Sequence, residues 1–483
     1  MFNYRSLVAQ KLSSLGPKYL PFADVATDEV PLSQLLRLSL FQITVGMALV
    51  LIVGTLNRVM IVELGVPTSL VAVMLALPLI FAPFRTLIGF KSDVHVSALG
   101  LRRLPYIWKG TLYQFGGFAI MPFSLLVLSG YGDSFDAPRW LGYSSAALSF
   151  LLVGAGVHMV QTVGLALATD LVKQEDQPKV VGLMYVMLLV GMVASALVFG
   201  TLLENYTPGR LVQVIQGAAV VTVSLNLCAM WKQETRDRIR AQAMKAARPM
   251  QFRKAWALLM QAPGMMALLV VIGLGTFGFG MADVLLEPYG GQALGLSVAA
   301  TTKLTALFAT GTLIGFALAS QGLSQGGTPT RYTLIGATIG IPGFAAIIAS
   351  SLGAGIPLFL IGTFATGLGA GLFGHATLTA TLRAATRDQT GLALGAWGAV
   401  QASCAGLGIA AAGIVRDIIV GTNSATGLSV EAPYNVVFTI EIIFLVLAVL
   451  VTLLFMQRRL DQPNQCAPGS DVSNTHTNPV EVS

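Results

Sequence analysis

Ionisable side chains are rare in the long apolar runs of this sequence, so the few that occur there are the first candidates for chemistry. His158, Asp283, His375 and Glu441 fall well inside such runs, and Arg58, Glu63, Asp170, Glu287 and Lys303 fall nearer their ends. A polar group in hydrocarbon is costly unless it finds a partner or a wet cavity, so each of these needs a reason to be there. Arg58, Glu63, Glu287 and Lys303 are close enough to the run ends to extend toward lipid headgroups. The two histidines and the two deeper carboxyls are not. A neutral imidazole there serves either an interhelical hydrogen bond or a metal ion. The carboxyls are candidates for binding a partner or for carrying protons. No phosphate loop, nucleophile elbow or zinc spacing accompanies them, and Cys228, Cys404 and Cys466 lack metal-type spacing, so the reading is a non-enzyme without a metal centre. The stretch from Gly367 to Gly374 matches a dinucleotide-type glycine pattern, but it follows no strand and lies in an apolar run, which points to close helix packing.

The elements that must position these residues are membrane helices. Of the 483 residues, 54% are hydrophobic and 11% charged, and mean hydropathy is +0.74. A soluble domain carries about 25% charged residues. A membrane crossing needs about 20 apolar residues. Runs near 37–62, 68–90, 106–128, 140–170, 180–203, 212–231, 265–286, 301–320, 333–350, 356–382, 391–420 and 433–455 meet or approach that length. Basic residues collect in alternate loops: Lys91, Arg102, Arg103 and Lys109; Arg236 to Lys254; Arg383 and Arg387; Arg458 and Arg459. The positive-inside rule then places both termini in the cytoplasm. The net charge of +7 is absorbed by these loops, and no aromatic-interleaved basic patch speaks for nucleic acid.

The sequence divides into a cytoplasmic segment 1–36, a first six-helix bundle 37–231, a cytoplasmic connector 232–264, a second bundle 265–456 and a disordered tail 457–483. The halves resemble each other. Thr-Leu-Ile-Gly-Phe occurs at 86–90 and at 312–316, Leu64-Gly65 parallels Leu294-Gly295, Glu63 parallels Glu287, and His158 parallels His375 at similar depth. A parallel repeat of six spans is the plan of the major facilitator fold. The expected fold is therefore an all-α membrane protein of twelve transmembrane helices in two pseudo-symmetric bundles. Gly89 and Asp93, followed by Arg102 and Arg103, resemble that superfamily's signature loop, where a charge cluster can latch the bundles in one state.

Longer stretches carry a narrower resemblance. Tyr19-Leu20-Pro21-Phe22-Ala23-Asp24, the run from Leu56-Asn57-Arg58 through Glu63 to Pro67, Ala82-Pro83-Phe84-Arg85, Arg102 through Gly110, and Gln114-Phe115-Gly116-Gly117 are similar to the bacteriochlorophyll-delivery branch of the superfamily, the PucC and LhaA family of purple phototrophs. The resemblance implies an assembly factor for light-harvesting complexes in the bacterial inner, photosynthetic membrane. It implies bacteriochlorophyll, with carotenoid as a second pigment, as what is handled. The implied partners are antenna polypeptides, the reaction-centre core and pigment-synthesis enzymes. Between core and peripheral antenna, the core is slightly favoured. Asn57, Arg58 and Glu63 match the first-span motif; Arg85, Asp93, Arg102, Arg103, Tyr106 and Trp108 match the following loop region. The family supplies no catalytic residues. With a chlorin as cargo, His158 and His375 become candidate axial ligands for its magnesium, and Asp283 and Glu441 candidate pigment or partner contacts. The alternative is a proton-coupled secondary transporter of a small solute working through Asp283, Glu441 or Glu63; the sparse charge at mid-membrane depth weighs against it.

Overall fold

The computed structural model describes residues 30–80, 88, 92, 101–130, 137–173, 177–234, 257, 260–351, 355–384, 390–423 and 429–456. Among them, eleven helices are long and apolar enough to cross a membrane, and Thr68–Ile80 adds a shorter one. The first six are α1 (Leu32–Glu63), α2 (Thr68–Ile80), α3 (Leu104–Ser129), α4 (Arg139–Asp170), α5 (Gln177–Leu202) and α6 (Pro208–Met230). The second six are α7 (Met265–Gln292), α8 (Val298–Ser324), α9 (Pro329–Ala349), α10 (Gly355–Ala384), α11 (Thr390–Asn423) and α12 (Ala432–Val451), the last continued by a π turn, Thr452–Met456. The protein is an all-helical, multi-pass membrane protein.

Polar punctuation starts and stops these helices. Thr207 accepts the Arg210 amide at 3.1 Å ahead of Pro208, and Ser297 accepts the Ala300 amide at 3.2 Å, which satisfies amides that have no partner inside a helix. α1 and α7 end identically. Gly65 and Gly295 adopt φ of 62° and 65°, and the next amide folds back: Val66 to the Met60 carbonyl at 2.8 Å, Leu296 to the Gly290 carbonyl at 2.9 Å. This left-handed stop needs glycine because a Cβ would crowd the following carbonyl. It also sets the register between the halves. With Gly65 opposite Gly295, the counterpart of Glu287 is Asn57; the expected pairing of Glu63 with Glu287 is one and a half turns out.

Glycine also sets the packing distance between helices, and it repeats. A Cβ on Gly110 would lie 3.0 Å from the Gly156 carbonyl, and one on Gly336 would lie 2.7 Å from the Gly369 carbonyl. Gly117 sits on the Ser149 carbonyl and Gly343 on the Gly362 carbonyl in the same way. α3 on α4 and α9 on α10 are thus one antiparallel contact used twice, with backbones closer than any larger side chain allows. The glycine run in α10 belongs to this scheme: Gly367 and Gly371 meet the carbonyls of Phe308 and Thr312, and Gly369 meets that of Gly336.

The two bundles join along a seam in which α2 packs on α11 and α5 on α8. Exchange of the halves turns one of these contacts into the other, as a two-fold axis requires. α1 crosses α7 and α8 near the face opposite the one where α1 begins. The face where α1 begins carries Arg102, Arg103 and Lys232 and is the basic face; the other is the far face.

Candidate functional site

The richest polar geometry lies where α1 meets the second bundle. α1 contains two π-helical stretches, Val50–Leu56 and Val59–Glu63, that flank Asn57 and Arg58. Such widened turns re-aim side chains and recur at functional positions. The Asn57 amide donates to the Val284 carbonyl of α7 at 2.9 Å. Arg58 donates to Glu63 within its own bundle and, at 3.0 Å, to the Leu296 carbonyl of the other. That carbonyl belongs to the residue that closes the α7 stop. Thr55 and Thr302 bond across the seam at 3.2 Å, and Thr305 donates to Glu287. Two glycines leave room for this. A Cβ on Gly54 would lie 2.6 Å from a Glu287 carboxyl oxygen, and one on Gly291 would lie 3.1 Å from the Arg58 guanidinium.

Arg58 and Glu287 are both 4% exposed. The expectation that they reach toward headgroups is therefore wrong. Bundle-to-bundle packing encloses them, and only the tertiary contact makes an interior at that depth. Tyr206, in the link between α5 and α6, is close enough to Arg58 and Glu63 to feel their charges. Burial pushes its phenol up to about 12, the Glu63 carboxylate acts in the same direction, and Arg58 opposes. Two more links cross the seam at the far face. Asp417 of α11 accepts the Ser69 amide at the start of α2 at 2.6 Å, and Lys303 meets Glu204 at 3.0 Å. The second pair is well exposed and contributes little by itself.

Deeper in the seam, the His375 ring of α10 lies against Phe316 of α8, centroids 4.1 Å apart, and the ring of Tyr185 of α5 lies 6.4 Å from that of Phe316. Thr379, one turn away, donates to the backbone carbonyl of His375 at 2.9 Å. The His375 Nδ1 is buried and has no hydrogen-bond partner among the described residues. His158 is half-buried on α4. The two histidines are not strict counterparts. In the register set by the glycine contacts, Gly371 holds the place beyond Gly369 that His158 holds beyond Gly156, so His375 lies one turn nearer the basic face.

Asp283 and Glu441 come together within the second bundle. Glu441 is fully buried, both its carboxyl oxygens lack hydrogen-bond partners among the described residues, and Asp283 is close enough to act on it electrostatically. Its backbone carbonyl approaches Gly278 of α7, the helix that also carries Asp283. Among the second bundle's phenylalanines, Phe279 and Phe373 pack on each other and are core, and Phe277 packs on Phe444 of α12.

At the basic face, Arg103 donates to Asp170 at 2.8 Å and to Ser92 at 2.9 Å, and Arg102 reaches Asp170 at 3.4 Å. Glu234, just past α6, accepts the amides of Arg102, Arg103 and Leu104 at 2.8 to 3.1 Å. A carboxylate on the first amides of α3 is the arrangement the helix dipole favours. These partners all belong to the first half. Through these bonds the described part of the loop ties α3, α4 and α6 together. Gly89 and Asp93 lie outside the described residues, as do Arg85 and most of the connector.

The model of the family described as PUCC protein matches residues 55–460. The chain belongs to the PucC family.

Relatives agree. The chain is 68% identical over 458 residues to Protein PucC of Rhodobacter capsulatus, covering 94% of this chain and 99% of that one. It is 60% identical over 436 residues to Protein PucC of Rhodovulum sulfidophilum, covering 90% and 96%. A more distant relative, 26% identical over 78% of this chain and 85% of its own, is the bacteriochlorophyll synthase 44.5 kDa chain of Rhodobacter capsulatus. In fold, the protein is similar to an inward-facing bacterial homolog of the lysosomal transporter Spinster, with a TM-score of 0.62 at 16% identity over 88% of this chain and 98% of that one. It is equally similar to a D-xylose–proton symporter, with a TM-score of 0.62 at 16% identity over 87% and 97%. The fold is that of the major facilitator transporters.

Within this PucC-family chain, Asn57 and Arg58 are seam residues, and Glu63 reaches the seam through Arg58. Sequence reasoning missed their partners. Leu296 and Val284 contribute only backbone carbonyls, which leave no trace in residue type. Gly54 and Gly291 resemble any other membrane-helix glycine. Glu234 had one available signal, an acid directly following an apolar run that ends in Trp231 and Lys232.

Proposed function

We propose that this protein is an assembly factor for photosynthetic light-harvesting complexes in the bacterial inner membrane, and that it holds or delivers bacteriochlorophyll while antenna polypeptides insert. Membership of the PucC family, with 68% identity over nearly the full length of a PucC protein, carries the reading. The bacteriochlorophyll synthase chain among its relatives supports the pigment assignment. Both termini face the cytoplasm in this reading, as the basic loops require. No catalytic step is assigned to it. Neither core nor peripheral antenna is favoured by the relatives, so the preference for the core antenna rests on the sequence resemblance alone.

A chlorin cargo needs an apolar enclosure for a flat ring and one nitrogen for its magnesium. What supports His375 as the ligand is an imidazole Nδ1 that has no hydrogen-bond partner among the described residues and a ring that lies on Phe316, which in turn neighbours Tyr185. His158 is the second candidate, on the corresponding helix of the other bundle. Carotenoid is the second pigment that such a surface accommodates. The runner-up, a proton-coupled transporter, draws on one observation, the buried carboxyls of Glu441 and Asp283. Purified protein decides between them. Bacteriochlorophyll absorption in the near-infrared that copurifies with the wild type, and lowered antenna content in a deletion strain that still grows by respiration, are expected. Normal antenna content in a deletion strain lacking any homologue would overturn the assembly reading. Solute uptake by pigment-free proteoliposomes would favour the transporter.

A further inference from the structure

α5 and α6 scarcely touch, and each packs on α1 instead. Between them runs a groove of about 640 Å³, floored by Ile43 and Met47 of α1 and walled by Val198 of α5 and Val221 of α6. Its lining is almost wholly apolar until the far-face end, where Arg210 and Gln213 stand at the mouth. Arg210 is exposed, and its Nε–H donates to the Leu202 carbonyl at the end of α5 at 2.8 Å. That bond fixes a planar cation over the mouth rather than leaving it to sweep the surface. From Arg210 to Leu225 at the deep end, fifteen helical residues cover about 22 Å. The groove therefore runs along the membrane normal with one charged end, over a length that suits a stretched long-chain acyl group. Gly217 lies in its wall, and a Cβ there would meet no atom within 4 Å.

We infer that this groove is a binding site for a phospholipid with an anionic headgroup, its chain laid against α1 and its phosphate on the Arg210 guanidinium. Charge complementarity selects the headgroup: guanidinium recognises phosphate oxygens in a fork, and an anionic lipid, unlike phosphatidylcholine, brings no choline cation to be repelled by the fixed cation at the mouth. The splay of α5 and α6 selects the chain: filled, the groove removes apolar surface that neither helix covers. The site is independent of the pigment reading and stands if that reading fails.

The test uses the full chain reconstituted in vesicles of equal phosphatidylglycerol and phosphatidylcholine, extracted in mild detergent, with retained lipid read by native mass spectrometry. Wild type is expected to retain phosphatidylglycerol over phosphatidylcholine by about tenfold, the effect of one charge-assisted contact. Arg210→Gln is expected to abolish that preference, and Gly217→Leu, which fills the groove from an open position, to remove both lipids. Gly116→Leu, equally open but on α3, is expected to change nothing. Equal retention of the two lipids by wild type, or an unchanged preference in Arg210→Gln, would overturn the assignment. So would Gly217→Leu with its lipid intact, or Gly116→Leu with the same loss.

Discussion

Arg58 donates to both bundles, so its loss tests the seam one side chain at a time. Arg58→Ala leaves the Leu296 carbonyl without its donor and Glu63 without its cation, and it is expected to cost about 2 kcal/mol. The measurement is the thermal midpoint of the detergent-purified protein. Arg58→Lys is expected to recover less than half of the loss, because an ammonium cannot serve two acceptors in the guanidinium's fixed directions. Tyr206 adds a pH dependence to the same locus. Its folded pKa, about 12, lies above the ordinary tyrosine value of about 10. Its contribution to stability is therefore complete below about pH 10 and is lost as the pH rises toward 12. Tyr206→Phe should show a shallower fall in melting temperature over that window. For His375, replacement by Leu, alone and with His158→Leu, is expected to lower pigment per protein after purification at equal protein. Unchanged pigment in the double variant would leave both histidines with structural roles only.

At the scale of the element, the repeated glycine contacts dictate which substitutions a helix tolerates. Gly156→Leu drives a side chain into the Gly110 carbonyl, 2.5 Å from where its Cβ would stand, and neither backbone can retreat without parting α3 from α4. A loss of about 3 kcal/mol is expected, seen as failure of the protein to accumulate in membranes. Gly336→Leu should fail in the same way, since it meets the Gly369 carbonyl at 2.7 Å in the equivalent contact of the second bundle. Gly395→Leu, with open space beyond its Cα, should accumulate normally. The α7 stop shows why such rules are invisible along the chain. Gly295 and Gly291 are one turn apart, yet one is needed for its backbone angle and the other for the approach of an arginine from another helix.

At the scale of the molecule, links between bundles among the described residues include three at the far face: Ser69 to Asp417, Lys303 to Glu204, and the Arg58 cluster. At the basic face, Arg102 and Arg103 bond to Asp170, Ser92 and Glu234 inside the first bundle. The far-face links give a test of whether the bundles must part there. In a variant with Cys228, Cys404 and Cys466 changed to Ser, Ser69→Cys and Asp417→Cys should be bridged in membranes by a short bifunctional thiol reagent. If the working cycle opens that face, bridging is expected to stop antenna accumulation, and thiol reduction to restore it. Antenna levels unaffected by full bridging would mean that the far face stays shut during function.

What the sequence determined by itself follows from solvent and periodicity. Apolar runs of membrane length can only be helices, because a backbone in hydrocarbon must satisfy its own hydrogen bonds. Paired landmarks such as Leu64-Gly65 and Leu294-Gly295 mark a duplicated unit wherever the offset holds. The stretch with Asn57, Arg58 and Glu63 was legible as a resemblance. Its work was not, because Arg58 is recognised by the carbonyl of Leu296, and any residue has a carbonyl. The depth of His375 relative to His158, the burial of Glu441 and the splay of α5 from α6 likewise depend on how finished helices stack. That stacking is decided by contacts between residues far apart in the chain, where a single glycine sets a distance and a one-turn shift in register moves a side chain along the membrane normal.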